Sequence, residues 1–432
     1  MKRVSKIFLV MVLFLTFALT LGACEKNKVS HKLEKDVTIR VYSWWDPAHQ
    51  GIVSLKEGFE EKYSDYNVKL EFVKISSYYK TMLTKLAGAK LAGGGGEAID
   101  VMMLAFDKLP LFAQNDAIMA LDDYAEEKYL DDLYPSVKEG LYFEGKLYAL
   151  ARDVTTWATI LNTDMFTEHG IALPNEDWTM EEFINICNQF AAKGVAGYAF
   201  NNYTDLLSPW VYLYGGSYYD AENNVSTINS DEAITGLTAL YRLIQSGGSL
   251  SNAQTLEYGS QADAFVQDRA AMVFGGLSEV NNIENKGGHY TVLPLPKGVN
   301  GHQSHTFTNC WTVPSVSTKP AWAWKVIEYF SGAEGQAIAV EAGMGLPATP
   351  KANIDAWKNE TGKEFRKYFV DALGYENTKP YSTDTFGPNW DTNFKVMMAD
   401  RIFDKPGLTD QQVKEEIIAI NNLLTYYLQG GV

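Results

Sequence analysis

In the first third of the chain, segments with the apolar pattern of a strand alternate with segments whose apolar residues recur at helical spacing. Residues 37–42 (VTIRVY) and 68–73 (VKLEFV) are rich in β-branched and aromatic residues with polar residues between them, which predicts two strands, and 99–104 (IDVMML) is typical of a buried strand. Between them, 52–63 and 78–92 place apolar residues at helical spacing. The order β-α-β-α-β predicts an α/β fold with a parallel sheet flanked by helices.

The ends of these strands supply the first candidate site residues. Ligands of open parallel sheets bind beyond the carboxyl ends of the strands, and there the chain carries Trp44, Trp45, Asp46, Phe106 and Asp107. Neighbouring residues of an extended segment point to opposite sides, so we expect only one of the two tryptophans to face a cleft. Each aspartate has an alternative role as a cap of the following helix, above all Asp46, which precedes a proline.

The N-terminus has the features of a secretion signal. A basic start is followed by an uncharged run, 7–19, which is too short to span a membrane. The sequence Leu-Gly-Ala-Cys at 21–24 resembles the lipobox of bacterial lipoproteins, which implies a signal peptide at 1–23 and lipid on the thiol of Cys24. An ordinary signal peptide that happens to contain a cysteine stays open. The polar stretch 24–36 is expected to be a flexible tether.

Length and charge narrow the possible partners. A chain of 432 residues with 46% hydrophobic residues is too long for one core, so we expect two lobes. The net charge of −16, which becomes −19 once the signal peptide and its three cations are removed, argues against nucleic acid and anionic polymers. The chain also contains 10 Trp, 25 Tyr and 21 Phe, whose flat rings suit a sugar or an apolar ligand.

The sequence lacks the short motifs of common enzyme and metal sites. It contains no His-Glu-x-x-His, Cys-x-x-Cys, Gly-x-Ser-x-Gly or P-loop pattern. His302 and His305 lie in a polar stretch that predicts a solvated loop. Cys187 and Cys310 are expected to be buried free thiols, with a disulfide still permitted outside the cytoplasm. We therefore expect no catalysis, no metal and no cofactor.

Several short motifs occur in an order that is known from one protein family. The motifs are FEEKY (59–63), YKTML (79–83), IDV (99–101), LD (121–122), YFEGKLYAL (142–150), ILNTDMF (160–166), GI (170–171), WTMEEF (178–183), DRAAMVFGG (268–276), AWKVIEYF (323–330), GQ (335–336) and GLPA (345–348). They extend over nearly all of 37–432, and in this order the chain resembles the extracellular solute-binding proteins that feed ABC sugar importers, the maltose-binding proteins among them.

The resemblance implies a two-lobed periplasmic-binding-protein-like fold of type II. Each lobe would be a mainly parallel sheet flanked by helices, with the ligand cleft between the lobes. The chain would cross between lobes near 150–153 and 308–312 and return around 355–365. The lobes implied are 37–150 plus about 312–357, and 151–308 plus about 358–432.

A sugar needs carboxylates and amides for its hydroxyls and indole rings for its C–H faces. The resemblance implies that Asp46 and Asp107 hold hydroxyls and that Asp153 lies at the first crossover. For Trp210 and Trp390, packing in a core is an equal alternative to contact with ligand. For Gly276, a simple turn is the equal alternative. The expected ligand-binding residues are Trp44, Trp45, Asp46, Asp107, Asp153, Trp210, Gly276, Asn309, Trp311 and Trp390.

Two departures from the family pattern limit what the resemblance implies. The chain has Ala151-Arg152-Asp153 where the family usually has a proline. The resemblance therefore does not tell which residues of this chain line the cleft at the first crossover. It also has Leu277 where the maltose binders have a tryptophan, so maltose itself is not assumed.

The expected function is that of a lipid-anchored binding protein on the outer face of a bacterial cell membrane. It would act as a monomer, capture a sugar, most simply an oligosaccharide, and deliver it to the transmembrane subunits of an ABC permease. A surface glycoside hydrolase or lyase is the alternative that the carboxylates permit. An adhesion or sensor protein of the same fold also stays open, as do peptides or polyamines as ligands, although indole faces favour a neutral ligand.

Overall fold

The computed structural model describes residues 32–93, 97–125, 130–201, 204–220, 223–380 and 390–429. The predicted signal peptide, Cys24 and most of the tether lie outside these ranges. Among the described helices, none is both long enough and apolar enough to cross a bilayer.

The described chain alternates between strands and helices. The strands are β1 (Thr38–Ser43), β2 (Lys69–Lys74), β3 (Val101–Ala105), β4 (Tyr142–Phe143), β5 (Lys146–Leu147), β6 (Ala149–Thr155), β7 (Ala158–Asn162), β8 (Ala196–Ala199), β9 (Tyr219–Asp220), β10 (Val225–Ser226), β11 (Ser249–Leu250), β12 (Ala270–Gly275), β13 (Tyr290–Pro294), β14 (His305–Thr312) and β15 (Lys379–Pro380). The α-helices are Gln50–Lys62, Tyr78–Leu91, Leu109–Gln114, Pro135–Lys138, Thr163–Glu168, Met180–Ala191, Thr204–Tyr212, Asp231–Gln245, Asn252–Glu257, Gln261–Val266, Leu277–Asn285, Pro320–Ser331, Ala333–Glu341, Asp355–Lys358, Arg366–Asp371, Trp390–Met398 and Asp410–Leu428.

The first sheet is built as the apolar pattern predicted. β1 pairs in parallel with β2 and with β3, and the two helices between these strands begin and end close to the predicted bounds. The sheet continues from β3 to β14 and then to β6, both pairings being antiparallel, and β15 extends the β14 edge. We call this sheet and the helices packed on it the first lobe.

The second sheet has the strand order β11-β8-β12-β7-β13. β8 is parallel to both of its neighbours, whereas β7 is antiparallel to both β12 and β13. This sheet is therefore mixed rather than mainly parallel, because β7 enters it directly from the first lobe and runs against its neighbours. We call this sheet and its helices the second lobe.

Two neighbouring strands connect the lobes. β6 lies in the first sheet and leads after two residues into β7 of the second, while β14 follows β13 and returns to the first sheet. β6 and β14 run antiparallel to each other from Thr312↔Ala149 to Phe307↔Thr155, so both connections lie side by side.

Each lobe has its own aromatic core. Buried Trp311 and Trp322 belong to the core of the first lobe, and Trp178, Trp210 and Phe274 to that of the second. Cys187 and Cys310 are both buried and free, as expected, and burial raises the pKa of both thiols, which keeps them protonated.

Candidate functional site

A cavity of about 440 Å³ lies between the two lobes, beside the first connecting strand. Trp45 and the loop 343–346 form its first-lobe wall, and Val154 and Thr155 of β6 form its floor. The helix Leu277–Asn285 contributes the second-lobe wall. The segment 357–366 supplies Trp357, Glu360, Lys363, Phe365 and Arg366 to the lining. A volume of this size falls within the usual range of small-molecule sites, about 300–1,000 Å³.

The side chains of the adjacent Trp44 and Trp45 point to different sides of the chain, as those of neighbours in an extended segment do. Trp45 lines the cavity, and its ring packs against His49, with the centroids 4.5 Å apart, and against the guanidinium of Arg152 at 5.1 Å. The Trp44 ring instead packs edge-on against Tyr78 at 5.1 Å. Trp45 is therefore the ring that the end of β1 presents to the cavity.

Trp357 is a second indole on the cavity wall, and the sequence analysis missed it. The guanidinium of Arg366 lies 4.5 Å from the centroid of its ring and also donates to the Trp357 carbonyl oxygen at 2.7 Å. Arg366 is itself paired with Glu360 at 2.6 Å. The one available signal was position, since Trp357 falls within the segment 355–365 where a third crossing between the lobes was expected.

Four of the five charged side chains on the wall form two ion pairs, and Glu341 is the fifth. Lys363 forms an ion pair with Glu284 of the helix Leu277–Asn285, and the hydrogen bond from Lys363 lowers the pKa of the Glu284 carboxyl. The other lining cation, Arg366, is paired with Glu360. A wall that holds indole rings and paired charges suits a neutral polar ligand with apolar faces better than a strongly charged one.

Gly276 is the predicted site residue that lies where the second lobe meets the floor. It precedes the helix Leu277–Asn285 with an ordinary φ of −87°, so no left-handed turn explains the glycine. A Cβ atom at this position would lie 2.6 Å from Cγ2 of Thr155, a cavity residue. Glycine thus permits the close approach of this helix to β6.

Asp153 and Asn309 are brought together, and neither lines the cavity, although Asp153 packs against the lining residue Gly345. Asn309 Nδ2 donates to Asp153 Oδ1 at 2.9 Å, and the Asp153 carboxylate forms an ion pair with Arg152. Asp153 is only 2% exposed. In this structure these side chains join the two connecting strands to each other, and their expected contact with ligand stays a prediction.

Asp46 and Asp107 are also engaged elsewhere. Asp46 is exposed, accepts a hydrogen bond from the Ala48 amide at 2.9 Å and pairs with Lys74 at 3.2 Å, whereas the cap of the following helix, named as the alternative role of Asp46, is His49. These contacts, the Ala48 amide first, lower its pKa. Asp107 is buried and pairs with Lys108 at 3.1 Å. Neither lines the cavity at Trp45.

Two predicted tryptophans belong to the cores. Trp210 is 0% exposed and packs against Phe183 and Tyr198, and Trp311 is 0% exposed and packs against Phe330 of the helix Pro320–Ser331. Each ring packs in the interior of its lobe, and the expected ligand contacts of these two residues stay a prediction. Trp390 begins the helix Trp390–Met398, but its side chain lies outside the described part of the chain.

The His-x-x-His stretch is not the solvated loop that was expected. His305 is fully buried in β14, its ring 4.8 Å from that of Trp157, and burial lowers its pKa to about 3. His302 is partly buried and lies 3.2 Å from Asp177. Within the described ranges, no group of three or more His, Cys, Asp or Glu side chains is placed to hold a metal ion.

A second cavity, of about 720 Å³, also lies between the lobes. It is lined by Phe106, Tyr142 and Phe143 from the first lobe and by Tyr212 and Tyr218 from the second, among others. Of the residues expected at a cleft, Phe106 reaches it, whereas Trp45 reaches the first cavity. We take the first cavity as the candidate ligand site, because it combines a strand-end indole, the connecting strand and paired polar groups.

Comparison with known proteins adds independent information. A family described as bacterial extracellular solute-binding protein matches residues 40–337. The maltotriose-binding protein of Pyrococcus abyssi is 23% identical over 252 residues, which are 56% of this chain and 52% of that protein, so the match spans about half of this relative. The maltodextrin-binding protein MdxE of Bacillus subtilis is 23% identical over 377 residues, 84% of this chain and 86% of its own length.

Solved structures show the same fold. An ABC substrate-binding protein of Listeria monocytogenes in complex with cycloalternan is similar with a TM-score of 0.73 at 21% identity, covering 92% of this chain and 100% of that one. The GacH receptor of Streptomyces glaucescens, described unliganded and with acarbose, has a TM-score of 0.72 at 20% identity and covers 93% and 100% of the two chains. At such identities the likeness establishes the two-lobed periplasmic-binding-protein-like fold.

Proposed function

The chain belongs to the bacterial extracellular solute-binding protein family, and from this premise we propose that it captures a neutral carbohydrate between its lobes for an ABC importer. The observation that carries the proposal is the cavity between the lobes, with the indoles of Trp45 and Trp357 on its wall. Sugar rings present apolar C–H faces to such indoles and hydroxyls to the polar side chains beside them. Relatives named for maltotriose and maltodextrin binding support an oligosaccharide as ligand.

The arrangement of the walls supports capture by closure. Trp45 and Met344 belong to the first lobe, whereas Leu277 and Glu284 belong to the second, and β6 joins the two walls. A ligand that contacts both walls binds the closed arrangement better than the open one and therefore shifts the population toward it. The lobes of this proposal are 37–150 plus about 312–357, and 151–308 plus about 358–432, so that β6, β14 and β15 of the first sheet lie at the boundary about which the lobes rotate.

Delivery and anchoring complete the proposal. The family is extracellular, and the lipobox-like sequence at 21–24 supports a lipid anchor on Cys24 after removal of 1–23. The closed, loaded monomer would then dock on the transmembrane subunits of an ABC permease. The polar segment 24–36 would connect the lipid on Cys24 to the lobes and so allow the lobes to stand above the membrane surface.

A thermal-shift screen with recovery of the ligand tests the binding function. The purified protein is heated with maltotriose, maltotetraose, a galactooligosaccharide, mannitol, a polyamine and a short peptide, each at a large excess. A ligand at about one hundred times its Kd adds about 2.7 kcal/mol of stability, which raises the melting temperature measurably. We expect a sugar to stabilise the protein and to be recovered intact by mass spectrometry.

Other outcomes of this screen contradict specific parts of the proposal. Cleaved sugar would favour the glycoside hydrolase or lyase alternative over a binding protein. Stabilisation by the polyamine or the peptide alone would keep the fold but overturn the carbohydrate ligand.

A further inference from the structure

Arg152 occupies an irregular position in the first connecting strand. Asn309 of β14 pairs with Asp153, but the next residue, Cys310, pairs with Ala151, so Arg152 is the extra residue of a β-bulge. The side-chain amide of Gln336 donates to the carbonyl oxygens of both Ala151 and Arg152, at the bulge itself. Bulges of this kind redirect a side chain out of the regular alternation of a strand.

The redirected side chain runs behind the wall of the candidate ligand site. Its guanidinium lies 5.1 Å from the centroid of the Trp45 ring and donates through Nη2 to the Met344 carbonyl oxygen at 3.1 Å. Both Trp45 and Met344 line the cavity. The same guanidinium is paired with Asp153, which in turn accepts the hydrogen bond from Asn309.

A charge in this place is costly, and its contacts indicate a role beyond filling space. Arg152 is 2% exposed, and within the described residues its Nε and Nη1 atoms have no hydrogen-bond acceptor. Burial lowers its pKa to about 9, which still leaves the guanidinium charged at neutral pH. An apolar side chain would fill the same volume without the desolvation cost of an ion pair. What an apolar residue would not supply is a cation against the indole and a donor to the Met344 carbonyl.

We propose that Arg152 is a positioning residue of the candidate ligand site, which holds the Trp45 indole and the Met344 loop in place against the connecting strands. Because Asp153 links Arg152 to Asn309, both connecting strands are joined to this part of the wall. Packing of a ligand on Trp45 is then coupled to the position of β6 and β14. The ligand part of this inference rests on the proposed carbohydrate-binding function, whereas the positioning of Trp45 does not.

The first measurement needs no ligand. The protein is labelled with 5-fluorotryptophan, and the ¹⁹F resonance of Trp45 is assigned with Trp45→Phe and that of the core residue Trp210 with Trp210→Phe. The test variant is Arg152→Met combined with Asp153→Asn, which removes the pair without leaving one charge buried alone. Arg242→Met is the matched control, because Arg242 forms an exposed ion pair with Asp410 in the second lobe.

We expect the double variant to shift or broaden the Trp45 resonance and to leave the Trp210 resonance in place, whereas Arg242→Met changes neither. Arg152→Lys, which keeps a cation near the ring, should retain more of the wild-type Trp45 signal than Arg152→Met. An unchanged Trp45 resonance in the double variant would overturn the proposal. A change that spreads equally to Trp210 would also overturn it, because it would indicate a general loss of structure.

The second measurement uses maltotetraose as the probe, titrated calorimetrically. We expect the double variant to weaken binding about 2- to 30-fold, the range that a cation–π contact is worth, and to have a smaller effect when Trp45 is already replaced by alanine. Equal losses in the presence and absence of Trp45 would contradict the coupling. If the wild-type protein does not bind maltotetraose or any sugar of the thermal-shift screen, the proposed ligand class fails, while the ¹⁹F result still decides the role of Arg152.

Discussion

Asn309 donates a hydrogen bond of 2.9 Å to Asp153 between the two strands that connect the lobes. One side chain comes from β14 and the other from β6, and 156 residues of sequence separate them. The bond lies at the bulge, where the register of the two strands shifts between Asn309 and Cys310, and it adds a side-chain link between the strands there. Any rotation of the lobes about these strands would act on this contact.

The first prediction concerns this bond. Asn309→Ala should lower the free energy of unfolding by about 1–3 kcal/mol, because it leaves one oxygen of a buried carboxylate without its donor. Urea unfolding at neutral pH measures the change. The control is Asn282→Ala, which removes an exposed hydrogen bond to Glu279 and should cost much less. Equal losses in the two variants would mean that the Asn309–Asp153 bond does not stabilise the fold.

The second prediction separates the adjacent tryptophans. Trp45→Ala should weaken sugar binding by about 2 kcal/mol or more, about 30-fold in Kd, because it removes an indole from the cavity wall. Trp44→Ala should mainly lower stability, since its ring packs against Tyr78 and Tyr79. Calorimetric titration and thermal unfolding of both variants give the comparison. The assignment is wrong if Trp44→Ala has the larger effect on affinity.

The third prediction compares a wall indole with a core indole. Trp357→Ala should weaken sugar binding and cost less stability than the loss of a core indole, because its ring is only partly buried on the cavity wall. Trp210→Ala should instead cost about 3–5 kcal/mol of stability, the range for a large aromatic side chain in a core. Affinity and unfolding free energy are measured for both. Unchanged affinity in Trp357→Ala would remove it from the ligand site.

The fourth prediction concerns the contact of Gly276 with Thr155. Gly276→Ala should destabilise the protein by about 1–3 kcal/mol, because the added Cβ would lie 2.6 Å from Thr155 Cγ2. Adding Thr155→Ser removes that methyl group and should recover part of the loss. Gly88→Ala, in a helix where a Cβ would meet nothing within 4 Å, serves as control and should not destabilise. Failure of Thr155→Ser to compensate would contradict the close approach.

The fifth prediction is a pH dependence. Burial lowers the pKa of His305 from 6.5 to about 3, so the folded protein keeps this residue neutral where the unfolded chain already binds a proton. Its contribution to stability is complete above about pH 6.5 and is lost as the pH falls toward 3, at up to about 1.4 kcal/mol per pH unit. Unfolding free energies between pH 7 and 4 measure this slope.

His305→Gln cannot be protonated and should show a shallower decline with falling pH than the wild type. The control is His289→Gln, which removes an exposed histidine that pairs with Asp164 and so measures the effect of losing a histidine at the surface. A His305→Gln variant with the wild-type slope would show that His305 does not contribute to the pH dependence.

Local patterns were sufficient for much of the fold. The periods of apolar residues located β1, β2, β3 and the two helices between them, because strand and helix periods are properties of neighbouring residues. The order of short motifs identified the family and with it the two-lobed architecture. The sequence also placed the first two connections between the lobes close to where β6 and β14 lie.

The sequence by itself determined which elements form in the first third of the chain and in which order, and it predicted that one of the two tryptophans at the end of β1 faces a cleft. Only the tertiary structure decided which chemically suitable side chains reach that cleft. Trp210 and Trp311 have the right chemistry but face a core, and Asp153 accepts from Asn309, since packing between distant segments decides which side of an element is covered. The roles of Trp357 and Arg152 also depend on tertiary packing. Trp357 contacts Arg366, and Arg152 contacts Trp45, only once the chain has folded, and no local sequence pattern predicts these contacts.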